Sequence, residues 1–231
     1  GRGALTERLL SSRAAFVHAI ELDRDLVIGL QKRFADHPRF SIKEGDVLTV
    51  PLTSPDGFLS TKVVANIPYN ITGPIFQRLL GRLGMPVETT YKSLVILLQK
   101  EVADRILAKP GDSIFSALSV RLQLLARCTK ICLVPPSSFK PAPKVFSEVI
   151  RIEPYKDKNQ LDLELAKKIE ILLNTAFLSR RKMLRNTLGS LNCFQKIQMS
   201  ARSSGISLSQ RPQDLSLESW IILAKSIAPL E

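Results

Sequence analysis

Residues 66–69, Asn-Ile-Pro-Tyr, follow directly on an apolar run of strand type, Val63-Val64-Ala65. A tight turn after a strand needs the proline and at most the asparagine, so an amide, a rigid ring and an aromatic in succession exceed what a turn requires. The Asn66 side-chain oxygen and a backbone carbonyl at Ile67 or Pro68 are two acceptors set close together. Tyr69 adds a flat face. Such a corner suits a flat molecule that carries an exocyclic amine. Both N–H groups would be accepted, the nitrogen lone pair would turn out of conjugation with the ring, and the ring would stack on Tyr69. Pro68 fixes the turn that delivers these groups together. The chemistry is positioning more than proton transfer.

Three features upstream bear on what such a corner would work with. Gly1 and Gly3 open the stretch GRGALTERLL, ahead of a helix start. Glu21 ends the strand-like AIELD about 20 residues later, where a doubly wound fold puts a carboxylate on a ribose diol. Asp46, in EGD, ends the next strand and suits an adenine amine or the loop above it. Taken singly, each acid reads as a solvated turn residue. Ordered along successive strand ends, they fall at one edge of a sheet. A nicotinamide dinucleotide would call for the full G-x-G-x-x-G, and Thr6 stands where its third glycine belongs. The pattern fits a nucleoside cofactor without a pyrophosphate, such as S-adenosylmethionine. Its partner at the Asn66 corner is then an adenine amine, and Tyr69 would stack on a base extruded from nucleic acid.

The elements that must position these residues alternate. Residues 16–22, 39–46, 62–66 and 93–99 read as strands, and the stretches DRDLVIGLQKRF and TGPIFQRLLGRL between them carry apolar residues at helical spacing. Alternation of this kind predicts an α/β fold, a Rossmann-like parallel sheet with helices on both faces. Residues 113–128 read as a further helix, leading into a proline-interrupted stretch that reads as a closing antiparallel pair around a loop. After the polar EPYKDKNQ only helical periodicity remains, with Ser216 as N-cap of a last helix. The expected division is an α/β domain over residues 1–155 and a small all-helical domain over 160–231.

Composition restricts the partners. The 231 residues carry 33 basic and 21 acidic side chains, a formal charge of +12. The excess is present both before and after Pro154, so it is no basic tail on a neutral enzyme. A polyanion is the expected partner, nucleic acid ahead of an anionic membrane. No apolar run reaches the roughly 20 residues of a membrane span. Three cysteines and two histidines show no zinc-type spacing, and no metal is expected. Sparse, odd cysteines suit a reducing compartment such as the cytoplasm or an organelle interior. The start at Gly1, with neither methionine nor a signal-peptide pattern, suggests a fragment.

Together these residues resemble the ribosomal RNA adenine N6-dimethyltransferases of the KsgA type. GRGALT, IELDRD, GDVL, NIPYNITGPIF, LQKEVADRI, LSVRLQ, VPPSSFKPAPKV and AFLSRRKMLRNTL match that family's motifs in its order, over nearly the whole chain. The resemblance implies a class I S-adenosylmethionine-dependent methyltransferase fold and dimethylation of two adjacent adenines near the 3′ end of small-subunit rRNA, with a role in ribosome biogenesis. It implies cofactor contacts at Gly1, Gly3, Glu21, Leu22, Asp46, Val47 and Asn66. The methyl-transfer corner would be Asn66, Ile67, Pro68 and Tyr69, with Phe139 of PPSSFKP near the target base. The family's N-terminal GQNFL segment and the start of its glycine loop are absent here, which implies an incomplete pocket and weakened activity. SIFSALS also departs from the family, which more often has tyrosine followed by glycine there.

Basic residues beyond the corner are candidates for RNA contact. Arg181 and Arg185 lie four apart on one face of an expected helix, with Arg180 and Lys182 beside them and Leu178 and Leu188 toward a core. Lys140 and Lys144 sit on the proline-stiffened loop FKPAPK. The expected partner is small-subunit rRNA or the pre-ribosomal small subunit, bound by a monomer. Two rivals stand beside this reading. One is a resistance-type methyltransferase of large-subunit rRNA, which shares the corner but fits RRKMLRNTLGSL less well. The other is a non-catalytic RNA-binding assembly or transcription factor on the same fold.

Overall fold

A computed structural model describes residues 1–53, 57, 60–87, 91–156 and 161–227. Contacts divide the chain into two compact units, Gly1–Thr61 and the remainder from Lys62.

The first unit holds helix α1 (Ala4–Leu10), strand β1 (Val17–Glu21), helix α2 (Arg24–Arg33) and strand β2 (Phe40–Glu44). Strands β1 and β2 pair in parallel, from Val17 opposite Phe40 to Glu21 opposite Glu44. The crossover between them is α2. It starts because the Asp23 carboxylate accepts from the Asp25 and Leu26 amides, two donors that the first helical turn leaves unpaired. Val27 and Leu30, three apart, are its buried stripe. Arg39 ties the end of α1 to the start of β2, since its guanidinium donates to the carbonyls of Leu10 (2.7 Å) and Ala14 (2.6 Å).

The second unit is built on a four-stranded sheet in the order β3 (Lys62–Asn66), β6 (Ser93–Gln99), β8 (Ser147–Pro154) and β7 (Ala126–Val134). Strands β3 and β6 are parallel, and β8 runs antiparallel to both β6 and β7. The closing antiparallel pair predicted from the proline-rich stretch is therefore present. Leu94 opposite Ile152 and Ile96 opposite Ile150 are fully buried cross-strand pairs. Helix α3 (Thr72–Leu80) follows β3 and buries Ile75, Phe76, Leu79 and Leu80. A short hairpin of β4 (Gly81–Arg82) and β5 (Met85–Pro86) then leads toward β6. Helices α4 (Lys100–Leu107) and α5 (Ala117–Leu125) link β6 to β7.

The helix expected over 113–128 is shorter at both ends. Ser116 and Ser119 form a capping box that starts α5 at Ala117, and Ala126 is already extended (φ −157°, ψ 154°) because β7 begins there against β8.

Helices α6 (Leu163–Phe177), α7 (Leu184–Leu188), α8 (Phe194–Ser203) and α9 (Leu217–Lys225) form the C-terminal part. Ser216 caps α9 as expected, accepting from the Ser219 amide. These helices share one apolar core with Leu83, Ala108, Phe115 and Val120, centred on Ile169, Leu172, Leu173 and Trp220. Arg121 of α5 forms a two-pronged ion pair with Glu170 of α6 (2.9 and 2.7 Å) and donates to Asn174. The tip of the β4–β5 hairpin seats directly on α6. A Cβ at Gly84 would stand 2.5 Å from the Ala166 Cβ and 2.8 Å from the Leu163 Cα, so only glycine allows that approach.

Candidate functional site

In the first unit the proposed cofactor residues gather at the carboxyl ends of β1 and β2. The Gly45 amide donates to the Glu21 carbonyl (2.9 Å), which joins the two strand ends. Glu21 Oε1 accepts from the amides of Leu22 (2.9 Å) and Asp23 (3.2 Å), and Oε2 pairs with the Gly1 amino group. Burial pushes this carboxyl up. The hydrogen bonds from the Asp23 and Leu22 amides act the other way and favour the ionised form. Glu21 therefore stays ionised as an acceptor of hydroxyl hydrogen bonds. Beside it Leu22 is 69% exposed, an apolar surface next to a fixed carboxylate. Asp46 Oδ1 accepts from the Leu48 amide (2.9 Å) and its carbonyl from the Val50 amide (2.9 Å), so a tight turn sets its direction. Val47, half-buried, follows within that turn.

Gly3 begins α1 in the left-handed region (φ 87°), and a Cβ there would lie 2.6 Å from Leu30 Cδ2. The left-handed backbone favours glycine at that point, and the close Leu30 side chain adds to it. Gly1 has open space around it. A carboxylate for a diol, an exposed aliphatic face for a flat ring and a turn-held aspartate for a ring amine make a donor set that fits a nucleoside.

In the second unit the Asn66 corner terminates β3. Asn66 is exposed, whereas Ile67 is buried (4% exposed) and its amide donates to the Leu97 carbonyl (3.4 Å). Pro68 is again exposed (φ −55°, ψ 133°), and its carbonyl accepts from the Ile71 amide as Tyr69 opens a single 3-10 turn, Tyr69–Ile71, into α3. The chain thus anchors one residue of the corner and turns its neighbours outward.

Strand pairing brings the Phe139 loop to the same sheet edge. Asn66 is opposite Leu97 near the end of β6, Gln99 is opposite Ser147 at the start of β8, and Ser147 is opposite Val134 at the end of β7. The connection 135–146, between β7 and β8, therefore emerges at the same end of the sheet as the corner. It contains a 3-10 turn, Pro136–Ser138, whose first carbonyl accepts from the Phe139 amide (3.1 Å). Phe139 is half-buried, Lys140 and Lys144 are exposed, and Lys140–Pro141 is a cis peptide.

The basic segment of the helical part departs from the continuous helix read in the sequence. Helix α6 ends at Phe177, residues 178–182 form a turn, and α7 starts only at Leu184. Arg181 and Arg185 therefore do not share one helical face. The break is held by partners invisible in the local pattern, since the Leu184 and Arg185 amides donate to the carbonyls of Gln210 and Leu208. Leu188 is buried as expected, but Leu178 is 84% exposed. Arg180, though exposed, is tied to the protein by donating to the carbonyls of Ser113 and Phe115. Arg181, Lys182 and Arg185 are exposed.

Two features escaped the sequence reading. A cleft of about 420 Å³ is lined by Asp104, Asp112, Cys128, Lys130 and Glu148. The fully buried Glu148 pairs there with Lys130, and burial pushes the Cys128 thiol up to about 12, so it is no nucleophile at neutral pH. The second is Phe146, an aromatic 47% exposed just before β8. Among the described residues no group of His, Cys, Asp and Glu is placed to hold a metal, and no helix is long and apolar enough to cross a membrane.

The family model described as ribosomal RNA adenine dimethylase matches residues 1–229. A Prochlorococcus marinus (strain MIT 9313) protein named ribosomal RNA small subunit methyltransferase A is 64% identical over 98% of this chain and 81% of its own length. Its namesake from Synechococcus sp. (strain WH7803) is 59% identical with the same coverage. Among solved structures, a dimethyladenosine transferase from Plasmodium falciparum superposes with a TM-score of 0.76 at 25% identity, over 96% of this chain and 85% of that one. The 23S rRNA methyltransferase ErmE shares the fold, with a TM-score of 0.73 at 22% identity over 98% and 87%.

Proposed function

Because the chain belongs to the ribosomal RNA adenine dimethylase family, we propose that it dimethylates the N6 amines of two adjacent adenines near the 3′ end of small-subunit rRNA, as a step in ribosome biogenesis. The observation that carries this is the Asn66 corner, an exposed amide anchored by buried Ile67 on the sheet edge from which the Phe139 loop also emerges. The relatives at 59–64% identity bear the small-subunit name, which favours that subunit over the large one. An intact corner also disfavours a purely non-catalytic RNA-binding role.

S-adenosylmethionine, when bound, supplies an electrophilic methyl group. Glu21 would accept from its ribose hydroxyls, Leu22 and Val47 would flank its adenine, and Asp46 would take the adenine amine. At the other partner, the Asn66 side-chain oxygen and a carbonyl of Ile67 or Pro68 accept the N–H bonds of the target adenine. This orients the lone pair of a poor nucleophile, and preorganised acceptors of this kind act in the transition state without reorganising. Tyr69 and Phe139 hold the extruded base by stacking.

Residues 1–155 then serve as the methyl-transfer part and 160–231 as the helical part that grips RNA. Lys140, Lys144, Arg181, Lys182 and Arg185 contact phosphates, while Arg180 braces the turn that presents its neighbours. The protein acts as a monomer in the compartment that assembles small ribosomal subunits. Methylation of rRNA from a strain lacking this activity, followed by mapping of the modified adenines, tests the reading. Modification confined to two adjacent adenines near the small-subunit 3′ end supports it, and methyl transfer to large-subunit rRNA instead overturns it.

A further inference from the structure

We infer that Phe146 is a stacking seat for a nucleotide flanking the target adenine, with Lys140 and Lys144 gripping the phosphates of that same strand. The inference rests on the RNA-adenine reading of the Asn66 corner and goes beyond it in assigning a second base-binding position.

Three observations converge. First, Phe146 is 47% exposed, although the two residues after it, Ser147 and Glu148, which begin β8, are fully buried. It is therefore no frayed core residue, because the chain beside it is fixed. The Lys100 amide donates to the Phe146 carbonyl (2.9 Å), and Gln99 pairs with Ser147 in the β6–β8 ladder. Second, this fixed aromatic stands on the sheet edge that presents Asn66. Strands β3 and β8 are separated by β6 alone, so they lie about 10 Å apart at the usual strand spacing. Phe146 is level with Lys100, beyond the Leu97 that faces Asn66, so a nucleotide one or two positions along from the one held at Asn66 spans the interval. Third, the surroundings suit a polyanionic strand. Val145 is also exposed (43%), and Lys144 and Lys140 are exposed on the same loop. The nearby Lys100 is not counted, because its ammonium is already paired with Asp104.

An exposed, backbone-locked aromatic interleaved with lysines is how proteins seat single-stranded nucleic acid, since every base offers a π-face and the lysines follow the backbone. The half-buried Phe139 belongs with the extruded base. Phe146, at the point where the loop enters β8, is left for its neighbour. A stacking seat there also gives the corner a means of register, because a flipped base alone carries little information about its position in a long RNA.

The test uses the full chain with Phe146→Ala, Phe146→Leu and Phe146→Trp. Each variant is first checked for unchanged thermal unfolding, then assayed on unmodified rRNA. Loss of one stacked base corresponds to roughly a tenfold to hundredfold rise in the KM for RNA. The alanine and leucine variants should show that rise with kcat far less affected, and the tryptophan variant should restore the wild-type KM. Tryptophan at 146 should also be quenched by single-stranded RNA of the target sequence, against a background from the fully buried Trp220. A normal KM for the alanine variant, or rescue by leucine as well as by tryptophan, would overturn the stacking seat. The latter outcome would mean that bulk and apolarity at 146, not an aromatic face, serve RNA binding. If the wild-type chain transferred no methyl group to rRNA, the functional reading would fail and the fluorescence arm would still decide. Quenching upholds the seat and its absence overturns it.

Discussion

Asn66 faces Leu97 across the parallel β3–β6 ladder, and the amide just beyond it, Ile67 N–H, donates to the Leu97 carbonyl. The exposed amide side chain is thus held between a strand pair behind it and a buried isoleucine ahead of it. Replacing Ile67 (4% exposed) by alanine removes the anchor without touching the reacting groups. Large-to-small changes of this type cost about 2–5 kcal/mol of stability. Because the anchor sets the geometry of both acceptors, Ile67→Ala is expected to lower kcat at a temperature where the protein remains folded, with Ile67→Val intermediate. Chemical denaturation and single-turnover methylation, run together, check this. A variant destabilised by that amount with normal kcat would show that the corner is self-supporting.

Acid sensitivity is expected in the first unit. His18 Nδ1 lies 2.7 Å from Ser41 Oγ, and Nε2 is buried with no hydrogen-bond partner. Burial, then the charge of Lys43, lowers its pKa from 6.5. The unfolded chain therefore takes up a proton at a higher pH than folded His18 does. Stability is fully present above the unfolded value and is lost as pH falls through it toward the lowered folded value. Unfolding free energy measured between about pH 7 and pH 5 should fall for the wild type and fall less for His18→Gln. Equal slopes would remove His18 from the account.

The exposed cations of the helical part should behave differently from their braced neighbour. Neutralising Arg181 and Arg185 together is expected to weaken rRNA binding and flatten its salt dependence, since each phosphate contact contributes roughly 0.7–0.9 to the log–log slope. Cofactor affinity should not change. Arg180→Ala should instead lower the thermal midpoint, because its guanidinium donates to the Ser113 and Phe115 carbonyls. An unchanged slope in the double variant would move the grip to the loop carrying Lys140 and Lys144.

Local pattern revealed the strands well. KVVAN and SLVILLQ coincide with β3 and β6, because short apolar runs ended by a polar corner or a helix start carry their own boundaries. The residues at the ends of β1, β2 and β3 were legible for the same reason. What stayed hidden depends on distant partners. The break between α6 and α7 is held by carbonyls of residues 208 and 210, so RRKMLRN read as one continuous helix. Leu178 looked like a core residue until the turn exposed it. Phe146 carries no signal of its own in the sequence, and its exposure beside the buried Ser147 and Glu148 shows only in the fold. Arg121 and Glu170 are 49 residues apart, and their ion pair becomes visible only when α5 meets α6.

The central claim is that the Asn66 amide accepts from the adenine being methylated, and Asn66→Ala tests it most directly. Loss of a preorganised transition-state hydrogen bond costs about 2.7–4 kcal/mol, roughly a hundredfold to a thousandfold in rate. Single-turnover methyl transfer to unmodified small-subunit rRNA should fall by that factor, while RNA binding and thermal stability stay close to wild type because Asn66 is exposed. Near-normal turnover by this variant would reduce Asn66 to a turn residue and contradict the account.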